Sequence, residues 1–255
     1  MQNIIPLPAF SDNYIWLLRR QDAAAAVDPG DAAPVLQYCR EHGLSLCAIL
    51  ITHHHADHTG GIAELVRHFA CPVYGPANSG IAGISHPLHP GDLLQLTQPG
   101  LRLEVMATPG HTADHISYYG DGLLFCGDTL FACGCGRVFD GSMQQLHPSL
   151  QRLAHLPQET QIYCTHEYTL ANQRFALAVE PDNTALLQRQ QQDSARRQRG
   201  NPTLPSTLAT ELATNPFLRC HLPHVRAAVE AHCGQPLANE TAVFAAMREW
   251  KNTFS

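Results

Sequence analysis

The residues Thr52-His53-His54-His55-Ala56-Asp57-His58-Thr59-Gly60-Gly61 form the stretch that most constrains the fold and chemistry of this chain. The apolar run Cys47 to Ile51 precedes it and predicts a buried strand, and the glycine pair precedes a predicted helix that ends at Phe69. Four imidazoles and one carboxylate therefore follow the end of a strand. Ligands of α/β proteins gather at strand ends, so we predict a ligand site here rather than a histidine-rich surface.

The spacing within this stretch indicates metal binding. His53 and His55 are two residues apart, so in an extended chain they point to the same side. Asp57 and His58 are adjacent and point elsewhere, which suits a second ion better than the same one.

Three further predicted strands end in residues of the same kind. Leu101 to Ala107 is followed by Thr108-Pro109-Gly110-His111, Leu123 to Cys126 by Gly127-Asp128, and Gln161 to Cys164 by Thr165-His166-Glu167. The candidate ligands are then His53, His55, Asp57, His58, His111, Asp128 and His166. This set is too large for one tetrahedral ion, which takes about four ligands. We therefore predict two ions bridged by Asp128, which comes from a separate strand end and has two oxygens.

The donor chemistry favours zinc, although iron and manganese accept the same donors. Two divalent ions, two carboxylates and a hydroxide sum to a charge of about +1, which stabilises a developing oxyanion. A catalytic thiol is the alternative, since Cys126, Cys133, Cys135 and Cys164 lie near these motifs. It is disfavoured because the nearby histidines are already assigned to metal.

The composition excludes several classes of protein. Of the 255 residues, 44% are hydrophobic and 15% are charged, which excludes a disordered chain. The net charge of −6 argues against a nucleic-acid partner, and the absence of an apolar run of about 18 residues argues against a membrane partner. Nine cysteines, an odd number in a long chain, predict reduced thiols and a cytoplasmic location.

Two domains are predicted, over residues 1–168 and 169–255. Short apolar runs alternate with turn residues in the first, whereas the second has helical patterns at Leu170 to Val179, Thr184 to Arg199 and Thr241 to Lys251. The polar stretch Gln188 to Arg199 is interpreted as a solvated helix face in preference to a partner-binding strip.

These motifs resemble those of a known superfamily. Thr52-His53-His54-His55-Ala56-Asp57-His58, Thr108-Pro109-Gly110-His111-Thr112, Cys126-Gly127-Asp128 and Thr165-His166-Glu167-Tyr168 resemble the metallo-β-lactamase superfamily in order and spacing. Gly134-Cys135-Gly136-Arg137, Asn201-Pro202-Thr203-Leu204-Pro205-Ser206 and Asn215-Pro216-Phe217-Leu218-Arg219 resemble, within it, the hydroxyacylglutathione hydrolase (glyoxalase II) family. The resemblance covers essentially the whole chain. It implies an α+β fold, an αββα sandwich with a two-metal site at one edge, followed by a small helical substrate-binding domain.

The resemblance also implies a role for each candidate ligand. His53, His55 and His111 would hold the first metal, and Asp57, His58 and His166 the second, with Asp128 bridging. Asp57 and Asp128 are then the catalytic carboxylates, because they hold the ions whose bridging hydroxide is the nucleophile.

The implied glutathione site consists of residues from two regions. Arg137 and Tyr168 match positions that contact glutathione, and Arg248 and Lys251 match a basic pair that receives its carboxylates. The three-residue spacing of that pair puts both on one helix face. Phe139 stands where close relatives often carry a glutathione-binding tyrosine, and Asp114 replaces a common glycine and adds an acid near the predicted metals.

The implied reaction is hydrolysis of S-D-lactoylglutathione, and of related S-2-hydroxyacylglutathiones, to glutathione and D-lactate or another 2-hydroxy acid. This is the second step of methylglyoxal detoxification. The alternatives are another hydrolase or dioxygenase of the superfamily, a nuclease (which the net charge disfavours), and a non-catalytic metal- or glutathione-binding protein. We expect a monomer that acts on a small molecule.

Overall fold

The computed structural model describes residues 3–254, which group into two compact units. The first unit comprises the described residues up to Thr108 together with Asp114–Gly127 and Tyr163–His166. The second comprises Pro109–Ala113, Asp128–Ile162 and the described residues from Glu167 onward. This grouping is discontinuous in sequence, and the predicted domain boundary after residue 168 stays a prediction.

The strands are short and are distributed along most of the chain. They are β1 (Asn3–Ala9), β2 (Asn13–Arg20), β3 (Ala23–Val27), β4 (Ser45–Leu50), β5 (Val73–Pro76), β6 (His86–Leu88), β7 (Leu93–Leu96), β8 (Leu101–Ala107), β9 (Ile116–Gly120), β10 (Leu123–Gly127), β11 (Leu130–Phe131), β12 (Gly134–Cys135), β13 (Gln161–Cys164) and β14 (Ser206–Thr207).

The helices are concentrated in the C-terminal third. They are α1 (Ala32–His42), α2 (Ala56–Thr59), α3 (Ile62–Phe69), α4 (Met143–Ala154), α5 (Thr169–Val179), α6 (Thr184–Gln198), α7 (Leu208–Thr214), α8 (Pro223–Cys233) and α9 (Glu240–Thr253), with a 3-10 turn at Pro216–Leu218. Mixed sheets followed by a helical region confirm the predicted α+β class. Among residues 3–254, no helix combines the length and the apolarity that a membrane span requires.

The first sheet has the order β1-β2-β3-β4-β5-β6. Its strands β1 to β3 pair antiparallel, whereas β3, β4, β5 and β6 pair parallel. Helix α1 crosses from β3 to β4, and α2 and α3 cross from β4 to β5, because parallel neighbours need a crossover connection. The carboxyl ends of β3 and β4 therefore lie side by side, and Asp28 and Thr52 follow these ends.

The second sheet has the order β14-β13-β10-β9-β8-β7, and β11 and β12 form a separate two-stranded hairpin. Its strands end close to candidate ligands, as the sequence predicts: β8 ends at Ala107, β10 at Gly127 and β13 at Cys164. His111, Asp128 and His166 follow these three ends.

The core of the first unit consists of small and branched side chains. Helices α1 and α3 pack on the first sheet through buried residues such as Val35 and Leu65. Two polar contacts link the sheets of this unit: Trp16 Nε1 donates to the carbonyl of Cys164 at 3.0 Å, and Tyr118 Oη donates to the carbonyl of Ile51 at 2.7 Å. Buried tryptophan and tyrosine side chains need such partners, so these bonds define how the two sheets pack.

The core of the second unit is aromatic. Phe175, Phe217 and Phe244 are fully buried, and the rings of Phe175 and Phe217 stack with centroids 5.9 Å apart. The ring of Phe244 meets Phe217 edge-on at 5.8 Å, so α5, the 3-10 turn and α9 share one cluster.

The elements that the sequence analysis missed include β1 and α8. Strand β1 contains Pro6 and Pro8, and proline argues against a strand, but β1 lies at the edge of its sheet, where a missing N–H is tolerated. Helix α8 buries only Val225 and Val229, so its apolar periodicity is weak. Its ends nevertheless carry Pro at the first turn and Gly234 after the last, the usual helix boundaries.

The predicted solvated face of Gln188 to Arg199 is wrong in part. Arg189 and Asp193, four residues apart on α6, are both buried and form an ion pair at 3.3 Å. Arg189 also pairs with Glu211 of α7 at 2.7 Å. The sequence pattern did not indicate this burial because the acids that stabilise the arginine lie on another element or among polar neighbours.

Candidate metal centre

His53 and His55 follow β4 in the first unit. His53 is buried and His55 half-buried, and Nε2 of His53 lies 3.1 Å from Nδ1 of His55. The spacing of two residues thus places one ring nitrogen of each histidine close to the other, as a shared metal ion would require.

A second group in the same unit consists of Asp57, His58 and His166. Short helix α2 carries the first two, and the third follows β13. One ligand atom from each lies within 4.8 Å of the others, and Oδ2 of Asp57 is 3.5 Å from Nε2 of each imidazole. A carboxylate oxygen and two imidazole nitrogens at this spacing could hold a divalent cation.

Two carboxylates determine which nitrogens of this group carry a proton. Nδ1 of His58 lies 3.1 Å from Asp28 Oδ2, and Nδ1 of His166 lies 2.7 Å from Asp12 Oδ1. A carboxylate only accepts, so the His166 ring donates from Nδ1 to Asp12 and keeps its lone pair on Nε2, the atom near Asp57. At His58 the Asp28 carboxylate lies close to Nδ1 without hydrogen-bond geometry, and its negative charge favours a proton on that nitrogen. Histidines that bind metals are commonly held by such a contact.

Asp28 acts on His53 as well, through Thr52. The Thr52 backbone N–H donates to Asp28 Oδ1 at 2.8 Å, and its hydroxyl donates to Oδ2 at 2.7 Å. Because that hydroxyl proton is directed at Asp28, the oxygen accepts from Nδ1 of His53, which is 3.0 Å away. One buried carboxylate therefore sets the tautomer of His53 through Thr52 and also lies against Nδ1 of His58.

The sequence analysis missed Asp28, because Asp28-Pro29-Gly30 was interpreted only as a turn. The available signal was a carboxylate at the end of a buried strand, the same signal that identified Asp128. Asp28 has φ 50°, a left-handed conformation that Asp and Asn adopt more readily than most residues. Gly30 is required nearby, because a Cβ there would overlap the backbone carbonyl of Asp57.

Two further neighbours of the group were also missed. Asp12 and Asn13 lie between or at the ends of β1 and β2, and Asn13 Nδ2 donates to Asp57 Oδ2 at 3.0 Å. They have no sequence signal of their own, since an antiparallel bridge between Asn13 and the distant His166 brings them to the group.

Replacing Asp28 with asparagine is expected to weaken metal binding roughly 10- to 100-fold, the usual cost of losing a carboxylate that orients a ligand. Asparagine keeps the size and the left-handed backbone but removes the charge that holds Nδ1 of His58. The matched control is Asp31→Asn in the same loop, because Asp31 caps α1 and asparagine caps equally well. Competition with a chelating indicator measures the Zn²⁺ affinity of both variants, and equal affinities would contradict the assignment.

His111 and Asp128 lie in the second unit. Both are buried, and Nε2 of His111 is 3.4 Å from Oδ2 of Asp128. Nδ1 of His111 donates to the carbonyl of Arg137 at 2.6 Å, so this ring also keeps its lone pair on Nε2.

Asp114, the acid that replaces a common glycine, contacts His54. Its Oδ1 lies 2.9 Å from Nδ1 of His54, which is half-buried. The pair belongs to the first unit and involves the one histidine of the stretch that is not a predicted ligand.

Three predicted substrate-binding residues lie on the surface of the second unit. Arg137 is exposed, and its guanidinium lies 6.0 Å from the ring centroid of Phe139, which is 62% exposed. The Phe139 ring meets His111 edge-on at 5.2 Å. Tyr168 is 37% exposed and meets Phe131 edge-on at 5.4 Å.

The predicted basic pair lies on α9. Arg248 is buried, donates from Nη1 to the carbonyl of Cys135 at 2.9 Å, and lies 5.3 Å from the ring centroid of Phe217. Lys251 is half-buried, and its Nζ lies 5.5 Å from the ring centroid of Phe175. Neither forms an ion pair with a carboxylate of residues 3–254. Burial, followed by the charges of Arg248 and Arg174, lowers the pKa of Lys251.

The structure disfavours a catalytic thiol. The four cysteines near the motifs are all buried: Cys126, Cys133, Cys135 and Cys164. Burial raises the pKa of Cys133 to about 12 and that of Cys135 to about 11, so both are protonated thiols at neutral pH.

Two family models together match almost the whole chain. The model described as "Metallo-beta-lactamase superfamily" matches residues 10–166, and the model described as "Hydroxyacylglutathione hydrolase C-terminus" matches residues 167–254.

Named relatives match over their full length. A hydroxyacylglutathione hydrolase of Nitrosomonas eutropha is 54% identical over 254 residues and covers 100% of both chains. One from Alkalilimnicola ehrlichii is 56% identical and covers 99% of both. Among solved structures, that of ETHE1 from Myxococcus xanthus is similar with a TM-score of 0.66 at 26% identity, covering 98% of both chains.

Proposed function

This chain belongs to the hydroxyacylglutathione hydrolase (glyoxalase II) family of metal-dependent hydrolases, and on that basis we propose that it converts S-D-lactoylglutathione and water to glutathione and D-lactate. Related S-2-hydroxyacylglutathiones would react in the same way. The observation that carries the proposal is the similarity to relatives of this name over the whole chain, including the helical C-terminal region.

We propose that His53, His55 and His111 hold one ion and Asp57, His58 and His166 a second, with Asp128 bridging. The donor chemistry supports this, because each set offers neutral imidazoles and carboxylate, as zinc prefers. The hydrogen bonds from Nδ1 of His53, His111 and His166 support it further, and so does the Asp28 carboxylate that lies 3.1 Å from Nδ1 of His58. A histidine binds a metal as a neutral imidazole, through the ring nitrogen that carries no proton, and here that nitrogen is Nε2.

Two divalent ions held by two carboxylates and neutral imidazoles would supply residual positive charge and an activated water. The protein's own residues would orient them: Asp28 and Asp12 hold the imidazoles, and Asn13 holds the Asp57 carboxylate. The leaving group of the reaction is a thiolate whose conjugate acid has a pKa of about 8.5, so no strong general acid is needed. This agrees with the structure, in which the carboxylates of the site each contact a histidine: Asp12, Asp28, Asp57, Asp114 and Asp128.

We propose that Arg137, Tyr168, Arg248 and Lys251 bind the glutathione part of the substrate. The support is electrostatic: Arg248 is buried and Lys251 half-buried, and neither pairs with a carboxylate among residues 3–254. Loss of water around such charges is unfavourable unless an opposite charge compensates it. The two carboxylates of glutathione would compensate them. Phe139 would contribute its ring edge but no hydroxyl, so one hydrogen bond of the tyrosine-bearing relatives is absent.

Hydrolysis of S-D-lactoylglutathione tests the proposal when it is measured before and after removal of metal by a chelator. We expect turnover that the chelator abolishes and that Zn²⁺ restores, with two equivalents of metal per chain. A metal- or glutathione-binding protein without activity would show no chelator-sensitive hydrolysis. One iron per chain together with oxygen consumption would identify a dioxygenase instead.

Three finer points belong to the proposal. We infer that the ions are zinc, because five imidazoles and two carboxylates suit it, and elemental analysis distinguishes it from iron and manganese. We infer a cytoplasmic location, supported by nine cysteines that form no disulfide.

We infer that the protein is a monomer, and sedimentation equilibrium tests this. The two domains, 1–168 and 169–255, stay a proposal: the first would supply the metal ligands together with Arg137, Phe139 and Tyr168, and the second would supply Arg248 and Lys251.

A further inference from the structure

The turn between β11 and β12 has a backbone conformation that its residues do not favour. Phe131 pairs with Gly134, so the connection is the two residues Ala132 and Cys133. Cys133 has φ 54°, and hairpin turns of this length place glycine or asparagine at such a position. Local preference therefore does not stabilise this turn, and contacts from elsewhere must hold it.

Three buried side chains supply those contacts. Asn172 Nδ2 donates to the carbonyl of Ala132 at 3.0 Å. Glu211 Oε2 accepts from the backbone N–H of Cys133 at 2.8 Å. Asn215 Nδ2 donates to the carbonyls of Phe131 and Gly134, at 3.1 Å and 2.9 Å. Glu211 and Asn215 are both 0% exposed, so water does not compete for these bonds.

Glu211 is in turn held by a buried cation. Arg189 Nη2 donates to Glu211 Oε1 at 2.7 Å, and Ser206 Oγ donates to the same oxygen at 2.5 Å. Buried ion pairs often contribute little net stability compared with an apolar core, and a role in defining one conformation is a better reason to retain one. Here the conformation defined is that of the turn.

The β11–β12 hairpin contacts several of the residues in the proposed function. The carbonyl of Cys135 accepts from Arg248, and the ring of Phe131 packs against Tyr168. Asp128 lies two residues before β11, and the N–H of Gly136 closes the base of the hairpin on the carbonyl of Thr129 at 3.2 Å. A displaced turn would therefore move the partners of Arg248 and Tyr168 together.

We propose that the Arg189–Glu211 ion pair is a positioning device for substrate binding, which holds the turn at Cys133 and thereby places Arg248 and Tyr168 for the glutathione moiety. This inference rests on the proposed function for its kinetic consequence. Its structural part, that Glu211 holds the turn, does not depend on any activity.

The test compares Glu211→Gln with Asp193→Asn. Glutamine keeps the size of Glu211 but not its charge. With its NH₂ group towards Cys133 the bond to the turn is lost directly, and with its NH₂ group towards Arg189 the ion pair that holds the side chain in place is lost, so we expect a loosened turn in either orientation. Asp193 binds the same arginine through Nε at 3.3 Å and does not hydrogen-bond to the hairpin within the described chain. Both variants lose one buried charge beside Arg189, and only the first touches the turn.

We expect faster amide hydrogen exchange at Cys133 in Glu211→Gln and unchanged exchange in Asp193→Asn. In metal-saturated enzyme, KM for S-D-lactoylglutathione should rise about tenfold in Glu211→Gln, because Arg248 and Tyr168 are no longer held in place for the substrate. A tenfold change corresponds to the loss of one hydrogen bond to a charged group, and kcat should change little. Unchanged exchange at Cys133 in Glu211→Gln would overturn the inference, whatever the activity. An equal rise of KM in Asp193→Asn would also overturn it, because general loss of stability would then explain both. If wild-type enzyme does not hydrolyse the thioester, the proposed function fails, and the exchange experiment still decides the role of Glu211.

Discussion

Replacing Asp128 with alanine or asparagine is expected to lower thioester turnover by roughly 10³-fold or more, the scale on which loss of the main electrostatic stabilisation acts. Asp128 is the carboxylate proposed to bridge the two ions, and it is buried 3.4 Å from Nε2 of His111. Asparagine preserves its volume, so the loss would report the missing charge. Metal content per chain, measured with initial rates, should fall in parallel.

The opposite end of the same strand offers a matched control. Asp121 lies just before β10, whereas Asp128 lies just after it. Asp121 is exposed in a turn and has φ 51°, a left-handed conformation that asparagine also adopts. Asp121→Asn should retain metal and activity. Full activity in Asp128→Asn, or an equal loss in Asp121→Asn, would contradict the two-metal assignment.

Replacing Arg248 with methionine is expected to raise KM for glutathione thioesters by about 10- to 100-fold, because a bond between charged groups is lost. KM for a small neutral thioester should change less than about threefold, since that substrate has no carboxylate for Arg248 to bind. Methionine fills much of the buried volume beside Phe217, so the variant should fold. The small thioester reports directly whether it does.

Arg67→Met is the control for removal of one positive charge. Arg67 is exposed on α3, where it pairs with Glu64 at 3.7 Å, and surface pairs of this kind contribute little. Its KM values should match the wild type. A similar rise of KM for both substrates in Arg248→Met would argue against carboxylate binding by Arg248 and for a purely structural role in holding Cys135.

The prediction of short strands followed by a helical region rested on signals that act locally, whereas the α+β class came from the family resemblance. A buried strand such as β4 is apolar because both its faces are covered, and Gly60-Gly61 separates it from α3. Proline in β1 and weak periodicity in α8 removed these local signals, and both elements were missed. Their pairing or packing partners, rather than their own residues, make them regular.

The sequence by itself determined the kind of site, because histidine and aspartate at four strand ends specify metal chemistry wherever those ends meet. Only the tertiary structure decided which carboxylates hold which imidazoles. Asp28, which follows β3, contacts His58 on α2 after the neighbouring parallel strand β4. Asp12 contacts His166, which is 154 residues away in the sequence. Likewise, a polar stretch of α6 turned out to contain the buried Arg189, whose partner Glu211 lies on another helix. A sequence carries the donor types, but hydrogen-bond partners depend on distances that arise only when distant segments pack together.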